Sequence, residues 1–342
     1  MAVNPRRLYL DRSPGERRGV VTLHGLPERL MIERDGELVG PRLGEVWRAR
    51  LRRLAPAFTG AFVDLGLAQD AFMKVGGVAA RLSEGLAIEV LVTAEPRADK
   101  GAGVAFRDLS QGTPERLSAG PSLEQRLQAA GGGAIVQGEA AREAADLAEE
   151  AALQVSHPVP GGAVLTIEPT RALVAIDVDL SNALASRKAV MDVNLEAIRH
   201  AARLLRLKAL GGIVMIDLVG RPRDLQPIQR VAREAFHADE PGMLFGQVSR
   251  SGVFELGKPH REQPSAERLL AADRRLSARS VAQRLVRRLE REGRADPGAR
   301  LAAVCSSPVA AELRPLAAEL GPRYAVIEEL GRERLDSDIR AL

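Results

Sequence analysis

The chain has 342 residues, 45% of them apolar, with 49 Lys and Arg against 45 Asp and Glu. That length holds two or three domains with cores of their own, and a net charge of +4 permits a nucleic-acid partner without requiring one. Cys305 is the single cysteine, which excludes an intramolecular disulfide and any zinc site with more than one thiolate per chain. No apolar run reaches the roughly 18 residues that cross a bilayer. The opening MAVNPRRLYLDRSPGERRG has no apolar signal-peptide core. The expected compartment is therefore the cytoplasm. The basic residues are mostly Arg, whose planar fork suits phosphate, although a GC-rich genome gives the same bias.

Residues 1–38 hold three strand-like pieces, RRLYLDRS, GVVTLHG and ERLMIERDG, the last closing on a turn at Asp35-Gly36. They read as a small sheet on which another unit is mounted. Residues 39–110 hold five short strands and no long helix, the pattern of a small OB-like barrel. Phe62 and Phe72 are expected on neighbouring strands with Trp47 close by, in a chain with only 3% aromatics. Two readings stand side by side. The rings fill the barrel core, or they form a stacking platform for single-stranded nucleic acid with Arg48, Arg50 and Lys74 drawing in the backbone.

Residues 111–160 read as a linker and helix region. Gly131-Gly132-Gly133 is a candidate flexible joint, and EAAREAADLAEEAALQV is a helix ending near His157-Pro158.

Residues 161–262 organise the chain. ALVAIDVD and GGIVMID are short β-branched runs that read as buried strands, each ending in acid. Asp177 and Asp179, two apart on one strand, share a face. If the strand ending at Asp217 is a neighbour, three carboxylates converge at one sheet end, a site for a hard cation such as Mg²⁺. Between the strands a helix is expected from about Lys188 to Leu210, with Met191, Leu195, Ile198, Ala202 and Leu205 on its apolar face. A second helix is expected from Pro222 to His237, with Pro222 in its first turn. The alternation of strand and helix implies an α/β layer.

Residues 263–342 read as a small C-terminal α/β domain. Its Arg-heavy helix SARSVAQRLVRRLEREGR is either a dimerisation or RNA-contact surface or a solvated charged face. The overall class is a multidomain α+β or α/β chain.

The motif order resembles the catalytic half of the bacterial ribonuclease E/G family. AFVDLGLAQDAFMKV and RADKGAGVAFRDLS look like that family's S1-like RNA-binding module. ALVAIDVD, VNLEAIRHAARLLRLKALGGIVMIDLV and SRSGVFELGK look like its DNase I-like catalytic subdomain. The resemblance implies a metal-dependent endoribonuclease that cuts single-stranded, AU-rich RNA, using Mg²⁺, or Mn²⁺ in its place. It implies that Asp177 and Asp217 hold the metal, that Asp179 stands where the family has a water-orienting Asn, and that Arg250 in SRSG contacts phosphate. Phe62 and Phe72 match the module's stacking aromatics. Trp47, Arg48, Lys74, Lys100 and Lys258 complete the expected RNA contacts.

Three departures accompany the match. Only residues 111–160 stand where the family carries its 5′-monophosphate sensor, so cleavage is expected to ignore the RNA's 5′ end. Lys258 to Ser265 contains no cysteine, so no structural zinc link is expected, and a homodimer would form through the small C-terminal domain. A minimal form without the long scaffold tail of some members is expected. The competing reading is a single-stranded RNA-binding protein whose catalysis is impaired by Asp179.

Overall fold

The structure is a computed structural model that describes residues 5–37, 40–76, 82–97, 100–180, 187–222 and 224–342, the side chain of Arg187 excepted. The expected boundary at residues 38–39 lies outside the described residues. The first three strands form as expected: β1 (Arg6–Ser13), β2 (Glu16–Leu23) and β3 (Leu26–Arg34). The barrel follows with β4 (Val46–Ala55), β5 (Gly60–Asp64), β6 (Ala71–Lys74), β7 (Ala87–Ala94) and β8 (Gly103–Leu109). Pairing of β5 back to β4 closes these five strands, in agreement with the OB-like expectation. Their inward positions, among them Leu51, Val63, Met73, Ile88, Val90 and Val104, form a separate core.

The segment 111–160 is no linker. β9 (Glu115–Ser118) adds to the barrel beside β4. α1 (Leu123–Ala129) begins with a capping box at Ser122 and Gln125, and buries Leu123 and Leu127 on the N-terminal sheet. β10 (Ile135–Val136) pairs in parallel with β1. α2 (Glu139–Leu153) packs on β1, β2 and β3. The triple glycine is a tight return between α1 and β10. A Cβ on Gly132 would lie 3.1 Å from Leu8 Cγ and 3.2 Å from the Arg6 carbonyl, at a φ of +135°. The apparent joint is thus a close approach of backbone to the sheet.

The organising unit is a six-stranded mixed sheet in the order β11-β12-β13-β14-β16-β15. Its members are β11 (Ser156–Val159), β12 (Ala163–Pro169), β13 (Val174–Leu180), β14 (Gly212–Asp217), β15 (Leu244–Val248) and β16 (Val253–Lys258). α3 (Arg187–Leu207) crosses from β13 to the parallel β14, and α4 (Gln226–Ala235) lies before β15. α3 is buried more widely than one stripe: Val193, Ala197, Ile198, Ala201, Leu204 and Leu207 are all in the core. The reason is its position between two layers, because Val20, Leu30 and Ile32 of the N-terminal sheet share one core with α2, α3 and the six-stranded sheet. α4 starts later than expected. Pro227, not Pro222, occupies its first turn.

The C-terminal unit has α5 (Ser265–Leu269), α6 (Ala278–Ala295), β17 (Leu301–Cys305), α7 (Ser307–Leu320), β18 (Tyr324–Glu328) and β19 (Asp338–Ala341). Its three strands run in the order β18-β17-β19.

The arginines of α6 are not simply a solvated face. Arg287 is buried and pairs with Glu16 and with Glu149 of α2 at 3.2 Å. Around them Arg18, fully buried, meets Asp11 at 2.6 Å and Glu149 at 3.0 Å, and Arg34 meets Glu16 at 2.7 Å. Arg142 of α2 bridges Asp11 at 3.2 Å and Glu290 of α6 at 2.8 Å. Burial alone would push the Arg18 guanidinium's pKa down. Asp11 and Glu149, with Glu16 and Asp146, reverse that and hold it above its ordinary value.

Removing one partner of such a network leaves the others buried and uncompensated. Arg18→Ala is expected to cost about 3–5 kcal/mol in urea unfolding, whereas Arg288→Ala, on an exposed i,i+4 pair, costs under ~1 kcal/mol.

Stability should also fall with acid in two stages. Burial first, and Lys208 second, depress His157 to about 4, so the folded state resists a proton that the unfolded state accepts. Stability is then lost as pH falls from about 6.5 toward 4. Glu149 follows below that range. Burial would raise its pKa, but Arg287, Arg18 and Arg284 hold it below the ordinary value, and protonation then breaks the network. Melting temperatures across pH 8 to 3 check this, and His157→Gln should shrink the upper stage, leaving the share that His260 contributes in the same range.

Candidate active site

β13 and β14 are adjacent, parallel and in register, with Ile176 opposite Ile216 and Asp177 opposite Asp217. The helices cover one face of this sheet. Val174, Ile176, Val178, Val214, Ile216, Phe254 and Leu256 point toward them and are buried. The alternate residues point to a face that no helix among the described residues covers, and along it Asp177, Asp179 and Asp217 are all exposed. The expected meeting of the two strand-end acids is therefore present. Asp179 lies one step further along the same face. Among the described residues, no three acidic, histidine or cysteine side chains stand close enough together to hold a metal ion. The arrangement is a pair with a third acid nearby, rather than a three-carboxylate cage.

None of the three aspartates takes part in an ion pair or side-chain hydrogen bond among the described residues. Their freedom is notable in a chain whose other acids are so widely paired. Two hard oxygen donors on neighbouring strands, facing solvent, fit a Mg²⁺ that takes one or two carboxylates and keeps waters or phosphate oxygens as its other ligands.

Two devices fix the strand end that carries Asp217. Asn194 on α3 is fully buried; its Nδ2 donates to the Val219 carbonyl at 3.0 Å, and its Oδ1 accepts from the Val219 N–H at 2.9 Å. This two-way bond clamps the loop just after Asp217. The sequence motif VNLEA holds this residue, and an Asn amid the apolar positions of a helix was the available signal. The second device is the turn between β15 and β16. Ser249 and Ser251 share a hydrogen bond of 2.8 Å, and the Ser249 hydroxyl accepts from the Val253 N–H at 3.1 Å. Gly252, at a φ of +102°, brings this turn against the loop after β14. A Cβ there would lie 2.7 Å from the Gly220 carbonyl. Arg250 is exposed on the turn. Lys258 is not available in the same way. It is 9% exposed, its Nζ lies 3.3 Å from Asp239, and burial lowers its pKa despite that partner. An RNA contact there would require that pair to break.

On the barrel, Phe62 and Phe72 sit opposite one another on β5 and β6, with ring centroids 5.4 Å apart in an edge-on contact. Their neighbours Ala61, Val63, Ala71 and Met73 point inward, and the two rings point out. Of the two sequence readings, a core position is thereby ruled out for both rings. Arg53 lies over the Phe62 ring at 5.0 Å. The rings and Lys74 and Lys100 line a cleft of about 1060 Å³.

Trp47 does not join them. It pairs with Val90 near the opposite end of β4 from Arg53, which pairs with Phe62, a separation of about 20 Å along the strand. Its indole N–H donates to Glu45 at 2.8 Å. Arg48 is engaged as well, with Glu115 and with Ser110 at 3.2 Å, and Arg50 donates to the carbonyls of Gly85 and Gly112. Sequence spacing placed these residues correctly on one strand but could not show which end of it carries the cleft.

No helix among the described residues is long and apolar enough to cross a membrane. Residues 134–261 match the model of the ribonuclease E/G family. Ribonuclease E of Escherichia coli is 32% identical over 114 residues, which cover 32% of this chain and 11% of that protein. The chloroplastic ribonuclease E/G-like protein of Arabidopsis thaliana is 31% identical over 115 residues, covering 32% and 11%. Ribonuclease E of Nostoc sp. is 30% identical over 117 residues, covering 33% and 17%. The matched segment thus spans between 11% and 17% of these relatives' own length. It contains the sheet with its paired aspartates, Asn194 and the SRSG turn, and it leaves out the barrel. Over residues 134–261, about a third of the chain, the protein is thus similar to the ribonuclease E/G family.

Proposed function

We propose that the protein is a Mg²⁺-dependent endoribonuclease acting on single-stranded, AU-rich RNA in RNA processing or decay. The observation that carries the reading is the in-register pair Asp177–Asp217, exposed on an uncovered sheet face and free of ion pairs among the described residues. Asp177 and Asp217 would hold the ion. When bound, Mg²⁺ supplies Lewis acidity to a scissile phosphodiester and lowers the pKa of an attacking water. Asp179 orients that water, and its carboxylate adds charge where the family places an amide. Asn194 keeps the Asp217 strand end in place through Val219. Arg250 takes a phosphate oxygen, a role its planar fork suits. Phe62 and Phe72 stack bases while Lys74 and Lys100 hold the backbone.

Residues 111–160 are woven into the barrel and the N-terminal sheet, which leaves them no separate unit for sensing an RNA end. Cleavage is proposed to be independent of the 5′ end. A homodimer, if the C-terminal unit makes one, would use surface other than the inner side of α6, which this chain's own N-terminal sheet and α2 occupy.

The test is cleavage of labelled AU-rich RNA bearing either a 5′-hydroxyl or a 5′-monophosphate. Internal cuts should require Mg²⁺, vanish with EDTA and proceed at equal rates on the two RNAs. Asp217→Asn and Asp177→Asn should each lower kcat/KM by at least about 100-fold, the equivalent of roughly 3 kcal/mol of lost transition-state stabilisation. Unchanged cleavage by Asp217→Asn would sink the assignment. RNA that binds but is never cut would establish the impaired, RNA-binding reading instead. Phe62→Ala and Phe72→Ala should each weaken binding of single-stranded RNA by about 1–3 kcal/mol in fluorescence anisotropy, with no loss of melting temperature, since neither ring is in the core.

A further inference from the structure

The barrel cleft has one wall residue that does not come from the barrel. Beside the aromatic pair the cleft is lined by Arg97 on the connection between β7 and β8, and by His260, which follows β16 of the six-stranded sheet. Glu95 brings these two segments together. Its backbone N–H donates to the Arg261 carbonyl at 2.7 Å, and its buried carboxylate accepts from Gln263 N at 3.0 Å and Arg268 at 3.2 Å. His260 immediately precedes Arg261 on one segment, and Arg97 stands two residues after Glu95 on the other. The clamp therefore sets His260 beside Arg97 as a fixed feature of the fold.

Charge in the cleft is uneven. Arg52 is matched by Asp64 and Asp70, but Arg53, Lys74, Arg97 and Lys100 form no ion pair among the described residues. Arg53 lies over the Phe62 ring and Glu267 acts on Arg97, but the cleft keeps an excess of positive charge among the described residues, which suits an anion from outside. The ring of His260 lies against the backbone of Gly212; a Cβ there would be 2.9 Å from its Nε2. Its Nδ1 is buried with no hydrogen-bond partner. Burial first, and Arg97 second, lower its pKa to about 4, so at neutral pH it is an uncharged flat ring. An uncharged imidazole beside a cation is the side-chain pair that stacks a base and holds the phosphate attached to it.

We propose that Arg97 and His260 form a further nucleotide subsite of the cleft, in which a base of single-stranded RNA stacks on the His260 ring and its phosphate is held by Arg97. The subsite rests on the RNA-binding reading given above and extends it across the junction of the barrel with the six-stranded sheet. A strand bound there touches both units at once, next to the bases on Phe62 and Phe72.

The experiment measures binding of short fluorescein-labelled oligo-U and oligo-A RNA by anisotropy across a salt series. It uses the full chain carrying Asp177→Asn and Asp217→Asn so that no RNA is cut. Arg97→Ala in that background should weaken both RNAs and reduce the magnitude of the slope of log K against log salt by about 0.7, one phosphate contact on a single strand. Arg97→Lys should restore the slope. His260→Ala should weaken both RNAs about tenfold with the slope unchanged, as loss of a stacked base predicts. His260→Phe should recover most of that loss. A full slope in Arg97→Ala, or a His260→Phe variant as weak as His260→Ala, overturns the subsite. Failure of the parent protein to bind either RNA would instead overturn the RNA-binding reading on which the subsite rests. Melting temperatures identify any variant that loses binding by unfolding. For such a variant the retained-function partner, Arg97→Lys or His260→Phe, decides the question.

Discussion

Glu16 and Glu149 fix how the N-terminal sheet, α2 and α6 are set against one another. Each is a carboxylate taken out of water, and such a charge is tolerable only when countered and hydrogen-bonded. The countercharges arrive from β2, β3 and α6, in Arg18, Arg34 and Arg287. No two of these elements are joined by a short loop except the β2–β3 hairpin. The network thus acts as a specificity device. Apolar surfaces of the N-terminal sheet, α2 and α6 could slide against each other at little cost, but the guanidinium forks meet their carboxylates in only one arrangement. With that arrangement set, α3 is trapped between two sheets, and its burial on several sides follows.

From the trapped helix comes the site. A strand, a crossover helix and a parallel neighbouring strand form a right-handed unit whose helix must return across one face of the sheet. That crossover brings β13 beside β14 and puts the ends of both at the same edge. The in-register pairing of Asp177 with Asp217 is a consequence of this topology. The same helix explains why the opposite face stays open: α3 and α4 both pack on the face carrying Ile176 and Ile216, and the period of two turns every aspartate away from them. Asn194, on the helix that makes the crossover, then reaches the loop that ends the second strand. One element therefore creates the pair, exposes it and fixes it.

The strands and the crossover helix were legible in the sequence because short β-branched runs and three-to-four spacing report local structure directly. The outward direction of Phe62 and Phe72 was not. Alternation assigns two faces to a strand, but it does not say which face a closed barrel turns inward when both carry apolar residues. The inner positions are filled by Ala61, Val63, Ala71 and Met73, which leaves the larger rings for the surface. The charge network was illegible for a related reason. Arginines on an amphipathic helix look solvated unless the partner acids, more than a hundred residues away in the chain, are known to lie opposite. Lys258 shows the same limit from the other side: a basic residue ending a motif looked available for phosphate, but Asp239 had already claimed it.

The barrel raises the question of how two separately folded units present one binding surface. Its core is its own, so nothing in its packing dictates how it sits on the rest of the chain. The orientation is imposed at the junction, where Glu95 takes bonds from Gln263 and Arg268. Both bonds are directional and charge-assisted, so a small rotation of the barrel would break the two at once. A junction of that kind positions a unit more narrowly than an apolar interface of the same extent. It is also why a residue such as His260, unremarkable in the sequence beside Pro259, becomes part of the wall of a cleft built almost entirely by another unit. The composition of that cleft is decided by the junction, not by the barrel alone.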